Sequence, residues 1–125
     1  MDSFSFITLT NDGYIDLTLN CLRSLENIKL REKLKCYTLG SICYHRLYLA
    51  GYSPIQLECS NMNETCMNIF RRGNWHNITK RKFEIIHKEL LENSFVCFTD
   101  GDIVYLDNSV IEYCYKSIGD NDLLI

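Results

Sequence analysis

The polar and apolar positions alternate first over Phe4-Ser5-Phe6-Ile7-Thr8-Leu9-Thr10, a stretch rich in β-formers that predicts an opening strand. A turn cluster, Asn11-Asp12-Gly13-Tyr14, ends it, and Asp12 or a neighbour is expected to cap the helix that follows. Ile15, Leu19, Leu22 and Leu25 then recur at helical spacing. After a charged linker, Cys36-Tyr37-Thr38-Leu39 predicts a second strand stopped by Gly40, and Ile42 to Leu49 a second helix. Ser53-Pro54-Ile55-Gln56-Leu57 predicts a third strand, which its proline places at a sheet edge. The pattern fades from Glu58 to Arg72, a long loop of the kind that is often functional. A helix is expected from Ile78 to Glu92, with Phe83, Ile86, Leu90 and Leu91 as its buried stripe and its basic residues mostly on the wet face. Asp107-Asn108-Ser109 can cap a last helix carrying Val110, Ile111 and Cys114, and Asp122-Leu123-Leu124-Ile125 reads as the start of a further strand. Strands alternating with helices predict an α/β fold with a mostly parallel sheet.

The chemistry concentrates in Phe95-Val96-Cys97-Phe98-Thr99-Asp100-Gly101-Asp102-Ile103-Val104-Tyr105-Leu106. An apolar run delivers two carboxylates flanking a glycine with no side chain to obstruct a close ligand. If the run is a buried strand ending at Thr99, both acids sit at its carboxyl end, where open α/β sheets bind ligands. Two carboxylates in one loop repel unless a cation lies between them, and hard divalent cations prefer oxygen ligands. Asp-Gly between apolar runs is also a strong hairpin signal, which would make Asp102 the first residue of a return strand. The near-continuous apolar character of both runs and the strand–helix–strand pattern upstream count against it.

Other residues carry weaker signals. His45 lies on an apolar helix and is expected to be a core or boundary histidine rather than a ligand. Arg71-Arg72 could meet a phosphate or simply be solvated, and Trp75 could stack on a base or sugar or pack in the core. Seven cysteines without a C-x-x-C motif suggest reduced, mostly buried thiols in a cytoplasmic setting rather than a disulfide framework or a zinc site. The 125 residues fit one domain, and 46% hydrophobic with 23% charged residues is an ordinary globular balance. A net charge of −3 argues against nucleic-acid binding through phosphate neutralisation. The sequence has no apolar run long enough to span a membrane and no signal-peptide pattern at its start. Usage of Asn, Ile, Lys, Tyr and Phe, with one proline, suits an AT-rich genome such as that of a large virus or a parasite.

Three pieces of the chain resemble the nucleotide-diphospho-sugar transferases of GT-A fold, the group that includes plant cell-wall arabinosyl- and xylosyltransferases. They are Thr10-Asn11-Asp12-Gly13-Tyr14 with Leu19-Asn20-Cys21-Leu22 and Ser24-Leu25; Trp75 with Ile78-Thr79, Lys82 and Glu89-Leu90-Leu91; and Phe98 to Asp107, which matches the family's D-x-D region. The resemblance covers most of this chain but only the N-terminal half of a typical member. It implies a Rossmann-like, GT-A nucleotide-sugar-binding half and a single domain over 1–125, cut short at the C-terminus. It also implies that Thr10, Asn11, Asp12 and Tyr14 hold the nucleoside of a UDP-sugar and that Lys82 faces the phosphates. Asp102 would bind Mn²⁺ or Mg²⁺, and Asp100 would reach the metal or the ribose. The metal would neutralise the departing diphosphate as the sugar passes to an acceptor. Two departures stand out. Asn108 occupies a position where relatives often carry proline, and the half that usually bears the acceptor site and a further metal ligand is missing. No catalytic nucleophile is assigned. The competing expectation is a non-catalytic α/β module that dimerises or docks on a partner, its exposed last strand edge pairing with a second copy.

Overall fold

A computed structural model describes residues 3–30, 34–59 and 75–125, with Trp75 described by its backbone alone. Eight elements follow in order: β1 (Phe4–Asn11), α1 (Ile15–Asn27), β2 (Leu34–Leu39), α2 (Ser41–Leu49), β3 (Ile55–Leu57), α3 (Trp75–Leu90), β4 (Phe95–Phe98) and α4 (Val110–Ile118). The strands form one parallel sheet in the order β3-β2-β1-β4. The fold is therefore α/β and Rossmann-like, as the alternation of elements predicts.

The two faces of β1 explain the layering. Phe6 points to one face, where it packs with Ile15, Leu22 and Leu25 of α1, Leu47 of α2 and Ile111 of α4. Ile7 points to the other, where Tyr37 of β2 and Ile85 of α3 meet it. Both side chains are fully buried, and each such burial contributes roughly 1.5–3 kcal/mol. The chain steps outward from β1 to β3 with α1 and α2 on one face. It then crosses back to the far side of β1 with α3 on the opposite face. Right-handed crossovers require this change of face when the direction of travel reverses.

Local signals close the elements. Lys29 adopts φ 63° just beyond α1. Leu30 N–H then bonds Leu25 O at 2.8 Å and Lys29 N–H bonds Glu26 O at 3.1 Å, a Schellman ending with lysine where glycine is usual. Buried Leu30 joins the core beside Leu25.

The hairpin alternative fails, as the strand–helix–strand pattern predicts, and several other expectations are corrected. Ile103 to Leu106 form no return strand, so Asp100-Gly101 is not the turn of a hairpin; β4 runs parallel to β1. β4 is a half-buried edge strand rather than a fully buried one, although Thr99 beyond it is buried and its N–H bonds Ile7 O at 2.9 Å. Asp122 to Ile125 form no strand and are exposed. His45 is exposed, its ring edge-on to Tyr44 at 5.8 Å. The loop residues 60–74, including Arg71 and Arg72, and the Trp75 side chain lie outside the described residues. The cysteines of the described residues are unbridged, with Cys21, Cys36 and Cys43 buried. Burial raises their thiol pKa values, to about 11 for Cys21 and about 12 for the other two. Among the described residues no helix is long and apolar enough to cross a membrane.

The stripe of α3 is also turned from its expected setting. Phe83, Leu90 and Leu91 are exposed, and the inward positions are Ile78, Lys82, Ile85, Ile86 and Glu89. Glu89, 4% exposed, fixes this rotation. Its carboxylate accepts a hydrogen bond from the Tyr37 hydroxyl and one from Lys35 Nζ at 3.1 Å, both on β2. Burial works against its charge, but the Tyr37 and Lys35 bonds prevail and hold the carboxyl below the ordinary glutamate range. An unfolded glutamate titrates near ~4.3. The stabilisation is therefore complete above that pH and is lost as pH falls toward the lower folded-state value. Glu89→Gln is expected to cost about 2 kcal/mol near neutral pH, the scale of hydrogen bonds to a charged group, and to flatten the acid limb of the stability curve. Urea unfolding of both proteins between neutral and acidic pH measures this.

Candidate functional site

A cavity of about 410 Å³ opens at the carboxyl ends of β1 and β2, beside the loop that leaves β4. It lies where the strand order reverses around β1, the crevice in which open α/β sheets receive ligands. Leu9, Thr10 and Asn11 of β1, Leu39 of β2, and Tyr14 and Thr18 line one side. Ile78, Thr79 and Lys82 of α3 line another, and Asp100, Gly101 and Asp102 complete it. Of the residues singled out in the sequence, Thr10, Asn11, Tyr14, Lys82, Asp100 and Asp102 are thus brought together, although Lys82 and Asp100 lie 18 residues apart in the chain.

The β1–α1 turn is held by Asn11. Its side-chain Oδ1 accepts a hydrogen bond from Tyr14 N–H at 3.0 Å, and its backbone oxygen accepts from the same N–H at 3.1 Å. This tight turn starts α1 beside the cavity, which Tyr14 and Thr18 line.

Asp12 is placed differently from its neighbours and does not line the cavity. Its Oδ1 accepts Cys43 N–H at 2.8 Å and so caps α2, not the helix that follows it in sequence. Gly40 allows that approach: it adopts φ +116°, and a Cβ there would come within 2.5 Å of the Asp12 carboxylate. At the start of α1 no side chain caps the helix.

The acidic loop carries an internal counter-ion. Lys82 Nζ donates to Asp100 Oδ1 at 2.9 Å and lies 5.5 Å from the centre of the Phe98 ring. Both partners are substantially solvent-accessible, so the pair is worth at most about 1 kcal/mol and exchanges easily for a ligand. Asp102 is exposed at the mouth. Past it the chain is anchored again at Tyr105. The Tyr105 N–H donates to Ser24 Oγ at 2.9 Å, its hydroxyl donates to Thr99 Oγ1, and its ring meets Phe6 edge-on at 5.9 Å.

Two carboxylates are a short donor set. Among the described residues no three His, Cys, Asp or Glu side chains gather as a metal centre. Mg²⁺-like cations, however, commonly take one or two protein carboxylates and complete their shell with phosphate oxygens and water. The residues fit a cation that arrives with an anionic ligand rather than a resident one.

Sequence reasoning passed over Thr18, Leu39, Ile78 and Thr79 as individual contributors, and Tyr105 as an anchor. Thr18 had a readable signal: it is a polar residue inside the apolar stripe that runs from Ile15 to Leu25. No protein-family model matches the chain, and comparison with curated proteins and with solved structures finds no match either.

Because Asp12 caps α2 from outside the cavity, Asp12→Ala is expected to cost about 1 kcal/mol of stability, the usual scale of a lost helix cap. Binding at the cavity should be unchanged. Urea unfolding reads the first effect, and ligand titration of the folded variant reads the second.

Proposed function

We propose that the chain is a metal-dependent glycosyltransferase, or the donor-binding half of one, and holds a nucleotide-diphospho-sugar, a UDP-sugar first among candidates. The observation that carries this reading is the convergence of Asp100, Asp102 and Lys82 with the end of β1 in one cavity at the switch point of a parallel sheet. The chemistry of these groups supports it. Thr10, Asn11 and Tyr14 offer polar atoms beside the apolar surfaces of Leu9, Leu39 and Ile78, a lining suited to a nucleoside. Lys82 offers a positive charge to a diphosphate once it leaves Asp100. Asp100 and Asp102 would hold Mn²⁺ or Mg²⁺. Such a cation, when bound, neutralises charge that builds on a departing diphosphate. The acceptor and the reacting groups are not assigned to residues of this chain.

A second reading, a module that pairs with another copy, draws on a separate observation. Among the described residues no strand covers the outer edge of β4, and uncovered edges are templates for pairing. Exposed Phe83 and Leu90 on α3, with Leu91 just beyond it, add apolar surface.

Calorimetric titration with UDP, with and without Mn²⁺, separates the two. Binding is expected to need the cation. Asp102→Ala should weaken it by at least about tenfold, since even indirect partners of a bound metal are worth about 10–100-fold. Affinity indifferent to both the cation and the substitution refutes the donor-binding reading. Light scattering on the same samples is expected to report a monomer; a dimer that ignores UDP supports the pairing module.

A further inference from the structure

The acidic loop meets α1 at one point. Gly101 lies so close to Thr18 that a Cβ built on it would stand 2.6 Å from Thr18 Oγ1, a separation real Cβ atoms do not adopt. The neighbouring Thr18 atoms are farther, Cβ at 3.5 Å and Cα at 3.7 Å, which are ordinary contacts. The obstacle is therefore the hydroxyl alone. That hydroxyl is not free to swing aside. It is 2.7 Å from Thr10 Oγ1 on β1 and 3.3 Å from the Tyr14 carbonyl, and Thr18 is fully buried. Gly101 adopts no left-handed backbone conformation, so no unusual φ demands glycine there. What demands it is the space that Thr18 takes.

We propose that Thr18 is a positioning residue for the acidic loop. Its hydroxyl, clasped by Thr10, is the stop against which Gly101 seats, and this seating sets how far Asp100 and Asp102 reach into the cavity. The proposal rests on the donor-binding reading for the ligand it names, but the seating itself is a property of the empty protein. A misplacement of about 1 Å at a reacting centre can cost about a hundredfold in rate. Thr10 would thereby act on the acidic loop through Thr18 as well as lining the cavity itself.

The test is a double-mutant cycle with a conservative control. Gly101→Ala should displace the loop and lower the Mn²⁺-dependent UDP affinity by about tenfold or more. Thr18→Ala removes the hydroxyl and leaves a Cβ at a tolerable distance, so Gly101→Ala combined with Thr18→Ala should regain most of the lost affinity. Thr18→Ser keeps the hydroxyl, so Gly101→Ala combined with Thr18→Ser should stay as impaired as Gly101→Ala alone. Amide chemical shifts of residues 100–102 in the unliganded proteins should follow the same order: moved in Gly101→Ala, restored in the double variant. A double variant no better than Gly101→Ala in both readouts, or a Gly101→Ala protein indistinguishable from the parent, overturns the proposal. If Gly101→Ala does not fold, the double variant decides: recovery of the fold supports the contact, and continued unfolding overturns it. If the parent protein ignores Mn²⁺ and UDP, the donor-binding reading fails, while the amide shifts still judge the seating.

Discussion

Strand β1 is hydrogen-bonded along both of its edges and packed on both of its faces, and the other elements take their places from it. β2 and β4 align to it in parallel register, from Phe6 opposite Leu34 on one edge and from Phe4 opposite Phe95 on the other. The chain approaches those two edges from opposite directions, so the helices that join the strands part above the end of β1. The cavity is the space left by that parting. Its polar lining comes from Thr10 and Asn11 at the strand tip, both buried there and tied to the start of α1 through Thr18 and Tyr14.

One of the two carboxylates in the cavity has a counter-charge from the chain itself. Asp100 is matched by Lys82 from α3, and this exposed, weak pair joins two walls of the cavity. Elsewhere the chain buries a carboxylate outright. Glu89 is tolerated under α3 because Tyr37 and Lys35 satisfy it. The contrast is one of solvent access: the pair at the mouth exchanges partners cheaply, whereas the pair under the helix does not.

Much of this was legible in the sequence. The order of strands and helices followed from their periods, and the acidic loop stood out because Asp-Gly-Asp interrupts an apolar run. What escaped reading depends on contacts between distant positions. The face that α3 buries is set by Glu89 meeting β2, over fifty residues away in sequence, and its apolar residues alone point to another face. Asp12 looked like a cap for the next helix, but the turn at Asn11 leaves it facing α2, and glycine at position 40 admits it. The apolar end of the chain reads as a strand by composition, yet a strand needs an edge to pair with, and that is not a local property. Thr18 does break the apolar stripe of α1, but what its hydroxyl meets is not legible until the fold brings Thr10 and Gly101 beside it.

The buried carboxylate of Glu89 has a mechanical consequence for the opposite end of its helix. Lys82 lies seven residues before it, about 10 Å along the axis. Ile78 and Thr79 lie farther still, at the rim. α3 is thus held near its tail by Glu89 and again at Ile85 against the sheet, and that register is what carries Lys82, Ile78 and Thr79 to the opening.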